Sequence, residues 1–117
     1  MKYHQLVIFT DDTADTYQKI TCLLGVKPIE VKEFGVWTYS VEEKDEAPYF
    51  DFVNAFLDLL EPRFEKLEEL GITKDKILFW LLYEYEHQCA LGFGPQELQR
   101  LGVNGIALNI DCWEPKK

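Results

Sequence analysis

An imidazole and a thiol stand two positions apart in Glu86-His87-Gln88-Cys89, a pairing of donor types that zinc prefers. A structural zinc site takes four such ligands, and a catalytic one takes three plus water. The chain has only two histidines and three cysteines, so His4 and Cys112 would have to complete the set from opposite ends. No second ligand pair exists in sequence, and the expectation is no metal and no cofactor. A cysteine nucleophile needs a neighbouring base and a lowered pKa. Cys89 falls in a loop and is expected to be exposed. Cys22, near the apolar stripe of a first helix, and Cys112, on the inward face of a last strand, read as small core residues. Asp11-Asp12 is explained by helix capping and Asp111 by an outward strand position. Gly92-Phe93-Gly94 lacks the lysine and the strand-to-helix setting of a phosphate loop. The types and spacings therefore supply no catalytic constellation, and the chain reads as a non-enzyme.

One charged pattern stands apart. Asp51, Asp58, Glu61, Glu65 and Glu68 recur on one side of a helical wheel, opposite an apolar stripe of Val53, Phe56, Leu57, Leu60, Phe64 and Leu67. Like charges four apart, such as Glu61 and Glu65, destabilise an isolated helix by a few tenths of a kcal/mol. A solvated outer face accounts for the stripe, and so does a surface presented to a basic partner. These five carboxylates are the candidate partner-binding residues.

Composition frames the rest. The 117 residues suit a single domain at positions 1–117, and at that size folding buries roughly 65% of the unfolded surface. A content of 47% hydrophobic and 15% aromatic residues lies outside the range of disordered chains. Twelve basic against 21 acidic residues leave a net charge of −9. That charge repels phosphate backbones and anionic lipid, which argues against nucleic-acid and membrane binding and for a basic protein partner. The first residues lack the long apolar region of a signal peptide. No run approaches the roughly 20 apolar residues needed to cross a bilayer. Three widely spaced cysteines fit a reducing cytoplasm better than a disulfide framework.

The elements that would position these residues follow from periodicity. Tyr3 to Phe9 alternates as a strand, with Thr10 to Thr13 supplying capping oxygens for a helix marked by Tyr17, Ile20 and Leu24 and ended by Gly25. Ile29 to Phe34 and Val36 to Val41 read as a hairpin about Gly35, with Trp37, Tyr39 and Val41 on its apolar side. Residues 42 to 48 form a charged, solvated loop. A helix follows from about Phe50 to Leu70, interrupted at Pro62 and ended by Gly71. Ile77 to Tyr83 is rich in aromatic residues and reads as a strand, the rival reading being a second helix directly after the long one. A loop runs from His87 to Gly94. Pro95 to Leu101 is a short helix ended by Gly102, and Ile106 to Cys112 is a closing strand before a frayed tail. The predicted class is α+β: a ferredoxin-like split βαβ sandwich, β-α-β-β-α-β, with an added C-terminal helix and strand.

Several segments in this order carry a family resemblance. They are Leu23-Leu24-Gly25-Val26-Lys27-Pro28, Gly35-Val36-Trp37, Leu59-Leu60-Glu61-Pro62 and Leu108-Asn109-Ile110-Asp111. The chain resembles the bacterial family catalogued as domain of unknown function 4279, whose pattern pairs an "LLG-x-x-P" helix end with a tryptophan strand, an "LL-x-P" helix and an "L-x-I-D" closing strand. The similarity spans nearly the whole chain and departs from the pattern at Trp113, where tyrosine is expected. It implies a small stand-alone bacterial α+β protein and no reaction. In its light Gly25 is a helix cap, Pro28 a strand entry and Trp37 a packing aromatic, while Asp111 has no structural necessity.

Charge, size and missing chemistry lead to a protein-binding module, in sharper form an immunity or antitoxin-like protein whose carboxylates meet the basic cleft of a toxin. The alternative is a small-molecule-binding or regulatory domain, with its ligand on a sheet face near Trp37 or Trp113.

Overall fold

The computed structural model describes residues 1–46 and 48–116. Ala47, in the expected charged loop, and Lys117, at the end of the expected tail, lie outside the described residues. The elements run β1 (Lys2–Phe9), α1 (Ala14–Leu24), β2 (Val36–Glu43), α2 (Phe52–Leu60), α3 (Phe64–Glu69), β3 (Ile77–Glu84), α4 (Pro95–Asn104) and β4 (Ala107–Trp113). Single 3₁₀ turns occupy Glu61–Arg63 and Lys74–Lys76. The four strands form one sheet in the order β2-β1-β3-β4.

The class is α+β, but the strand order is not that of a ferredoxin-like split βαβ. β1 and β2 are antiparallel neighbours joined through α1, and β3 and β4 are parallel neighbours joined through α4. No strand is inserted between the members of either pair, so neither unit is split. The cause is the lost hairpin. Residues 29–34 form no strand, and β2 pairs with β1 from Phe9↔Val36 to Lys2↔Glu43. Segment 29–34 is held to its surroundings at both ends instead. The Ile29 N–H donates to the Thr38 carbonyl at 2.9 Å, and the Phe34 N–H donates to Asp12 Oδ1 at 2.9 Å. Asp12 reaches this position from a left-handed backbone, φ 63°, which short acidic side chains tolerate better than most.

The helices begin and end where capping chemistry dictates. The Thr13 side chain accepts the Thr16 N–H at the start of α1, and Gly25 closes that helix at φ 68°, a conformation in which a Cβ is strained. α1 buries Thr16, Tyr17, Ile20 and Leu24. Cys22 lies on its outer side and is exposed, contrary to the expected core position, because two residues past Ile20 is a rotation of about 200°. Pro62 breaks the long helix as expected, in a 3₁₀ turn between α2 and α3. Arg63 then ties three elements together: its Nε donates to the Leu23 carbonyl at 3.0 Å and its Nη1 to the Leu59 carbonyl at 2.9 Å. A cation on two helix C-terminal carbonyls also favours both helix dipoles. α4 runs past Gly102 to Asn104 and is ended by Gly105 at φ 67°. β4 includes Trp113, whose carbonyl accepts the Tyr85 N–H at 3.0 Å, so the expected tail is shorter by that residue.

All helices cover one face of the sheet. His4, Leu6 and Ile8 of β1, Trp37 of β2, and Ile77, Phe79 and Leu81 of β3 are buried on that face, with Leu108 of β4 partly buried beside them. They meet Tyr17, Ile20 and Leu24 of α1, Phe52, Phe56 and Leu60 of α2, Leu67 of α3 and Leu101 of α4 in one cluster. Phe56 is its aromatic hub, edge-on to Tyr39, Phe50, Phe52 and Phe79 at 5.3–6.2 Å between centroids.

Candidate functional site

The other face of the sheet carries no helix. By strand alternation Tyr3, Gln5, Val7 and Phe9 of β1, and Leu78, Trp80 and Leu82 of β3, lie on it, with Val7 buried among its neighbours. None of these seven belongs to the helix-covered core cluster. Registers place them in rows: Val36 beside Phe9, then Thr38-Val7-Leu78-Ala107, Ser40-Gln5-Trp80-Asn109 and Glu42-Tyr3-Leu82-Asp111. Phe9 and Val36 are 44% and 41% exposed at one end. Trp80, at the centre, is half-buried by its neighbours alone. The acids Glu42 and Asp111 flank the opposite end, both exposed, and these four strands place no lysine or arginine on this face. The result is an apolar platform with an acidic border at one end.

The five carboxylates of the expected acidic stripe are not all free of side-chain and backbone partners. Asp51 is the N-cap of α2, accepting the Asn54 N–H at 3.2 Å. Asp58 and Glu61 are engaged by Arg100 of α4, whose Nη2 and Nε donate to them at 2.7 and 3.0 Å. The same guanidinium donates to Asn54 Oδ1 at 2.7 Å. Glu61 is held below its usual carboxylate range first by its hydrogen bond from Arg100. Only Glu65 and Glu68 remain exposed without a side-chain contact in the described residues. Helical-wheel reasoning could not see that α4 would return across this face. Arg100→Met is expected to lower stability by about 1 kcal/mol in urea titration, since the pairs are surface-exposed but share one cation; Glu65→Lys should leave it unchanged within about 0.5 kcal/mol.

Apart from Cys89 beside Cys112, reactive side chains are dispersed. Among the described residues, no three His, Cys, Asp or Glu side chains converge as metal ligands. His87 and Cys89 are both exposed, in the loop after β3. Cys112 is half-buried, and burial, followed by the nearby Cys89, pushes its thiol pKa up. Cys22 and Cys89 are therefore expected to react with Ellman's reagent in the native protein before Cys112 does, with all three released together in denaturant. Of the tryptophans named for a ligand, Trp37 is 0% exposed beneath the helices, its Nε1–H donating to Thr21 Oγ1 at 3.0 Å. Trp37 is therefore not on an exposed sheet face. Trp113 is half-buried on the edge strand of the open face.

No family model, curated protein or solved structure matches the chain. The functional reading therefore rests on the geometry of the molecule.

A second arrangement was not legible as a site at all. Glu43, expected in a solvated loop, is 8% exposed at the end of β2. His4, 1% exposed, lies within hydrogen-bond reach, with its Nε2 at 3.2 Å from Glu43 Oε1. A carboxylate only accepts, so Nε2 carries the proton. The same oxygen accepts the Phe50 N–H at 2.8 Å, and Lys2 Nζ stands 3.5 Å from Glu43 Oε2. The imidazole stacks on Phe52 at 4.6 Å and meets Phe50 edge-on at 5.3 Å. Burial lowers the His4 pKa below 6.5, outweighing the opposing hydrogen bond and charge of Glu43. The ring is neutral at pH 7. The available signal was the alternation Trp37, Tyr39, Val41, which reaches Glu43 at the next inward position, opposite Lys2 and diagonal to the inward His4.

Proposed function

We propose that this chain is a non-enzymatic protein-binding module whose contact surface is the open face of its sheet. The observation that carries the reading is the helix-free group of Phe9, exposed, with Leu78, Trp80, Leu82 and Tyr3, half-buried around the buried Val7, an apolar surface bordered by Glu42 and Asp111. Exposed apolar patches rimmed by polar groups mark interaction sites, and aromatic residues dominate the energetics of such contacts. The border and the net charge of −9 select a partner with an apolar centre and arginine or lysine at one edge. An immunity or antitoxin-like role against a basic toxin is the sharper form of this proposal, and it keeps the resemblance to domain of unknown function 4279, which carries no reaction. It moves the binding residues from the helix to the sheet and gives Asp111 a place at the border.

The test is affinity capture from the native host with two baits, the wild-type chain and Trp80→Glu. A stoichiometric basic protein held by the first and lost from the second supports the reading. Capture that survives Trp80→Glu but fails on Glu65→Lys/Glu68→Lys would return the site to the helix.

A further inference from the structure

Two of the three thiols meet in the fold. Strand pairing sets Cys112 of β4 opposite Tyr83 and Trp113 opposite Glu84. One residue past β3, the Tyr85 N–H donates to the Trp113 carbonyl at 3.0 Å, so the loop that follows departs from the end of β4. That loop brings Cys89 back beside Cys112, and both stand near the Tyr85 phenol. Cys89 is exposed and Cys112 half-buried. Cys22 is placed apart from them. Its helix, α1, is bonded to β2 through Thr21 and Trp37, and β2 and β4 are opposite edges of the sheet.

A pair of thiols held together by the fold can take up a two-electron oxidation as a disulfide. The pair alone is a poor metal site, and among the described residues no third ligand converges on it. We propose that Cys89 and Cys112 form a reversible intramolecular disulfide on oxidation by a peroxide, tying the loop after β3 to the edge strand β4. The exposed Cys89 thiolate attacks one oxygen of hydrogen peroxide, the O–O bond breaks, and sulfenic acid and water result. The Cys112 sulfur then attacks the Cys89 sulfur and displaces hydroxide, which leaves as a second water with the Cys112 proton. Two thiols are thereby oxidised to one disulfide, and the peroxide is reduced to two waters. Burial, and after it Cys89, pushes the Cys112 pKa up, which suits the second attack at short range better than the first on a dilute oxidant. A dithiol reverses the bond by exchange. No partner on the open face is needed, so this site stands apart from the protein-binding reading.

The test exposes the full, reduced chain to stoichiometric hydrogen peroxide, blocks residual thiols with N-ethylmaleimide and maps the products by non-reducing peptide mass spectrometry. The expected product is a monomer with Cys22 alone labelled, a Cys89–Cys112 link and an unchanged far-UV circular dichroism spectrum. Dithiothreitol should restore all three thiols. Cys112→Ser should stop at a Cys89 sulfenic acid that dimedone traps, and Cys22→Ser should leave the link intact. In urea, links to Cys22 should join the products, because the fold no longer keeps that thiol away. Native products dominated by links to Cys22, by intermolecular dimers or by Cys89 sulfinic acid would each overturn the assignment. A Cys22 share as large in the native protein as in urea, or loss of secondary structure on oxidation, would do so too.

Discussion

Glu43→Ala should lower the unfolding free energy by about 3 kcal/mol at neutral pH, read from urea titrations. A residue from a charged, solvated loop would change stability by no more than about 0.5 kcal/mol, so the experiment separates the two positions cleanly. The magnitude follows from what alanine leaves behind. The His4 Nε2–H and the Phe50 N–H both lose their acceptor, the first fully buried and the second partly so. Each stranded donor costs about 1–3 kcal/mol, and relaxation of the loop before α2 recovers part of the sum. Glu43→Gln keeps an acceptor oxygen and should restore most of the loss at pH 7.

The same pair gives stability a pH dependence with a definite sign. Burial lowers the His4 pKa in the folded chain, while the unfolded chain titrates near the ordinary 6.5. Below that pH the unfolded state binds a proton that the native state still refuses, so stability falls as the solution is acidified. The loss continues until the pH reaches the lowered native value. Glu43 on one side raises that value and Lys2 lowers it, so removing Glu43 widens the window and removing Lys2 narrows it. Comparing wild type with His4→Phe between pH 7 and 5 isolates this contribution from the carboxylates, and a difference that does not change with pH would count against it.

Why some of this was readable in the sequence and some was not comes down to range. α1 with its Thr13 and Gly25 caps, the break at Pro62 and the strand character of 77–83 depend on neighbours a few positions away, and all are present. The partner of β2 is a long-range matter. Residues 29–34 have strand-like composition, but β1 offers β2 a full eight-residue register, and a turn of one glycine cannot match it. Arg100 lies 39 to 42 positions from the carboxylates it neutralises, and nothing in the periodicity of α2 announces it. Glu43 is the instructive case, because its neighbours in sequence are charged while its neighbours in space are His4, Phe50 and Lys2. Composition described the loop, and alternation along β2 described the residue.

Trp80→Glu is the substitution expected to act most strongly on function while leaving the fold in place. Trp80 is half-exposed on the open face, flanked in its row by Gln5 and Asn109, and has no place in the helix-covered cluster. A carboxylate there can remain hydrated in the free protein, so the thermal midpoint should move by only a few degrees. In a complex the same group would be buried against the apolar centre of the partner. An unpaired charge in that position costs several kcal/mol, so affinity measured by calorimetry or surface plasmon resonance should fall on the order of 100-fold or more. The border residues should behave differently. Glu42→Lys and Asp111→Lys act on steering by a basic partner, and are expected to slow association and flatten its salt dependence with little change in dissociation. A partner whose affinity is indifferent to Trp80→Glu but lost on Glu65→Lys/Glu68→Lys would show that the platform is unused. The sheet would then have an open face for reasons other than binding, and the acids of α3 would be the contact surface after all.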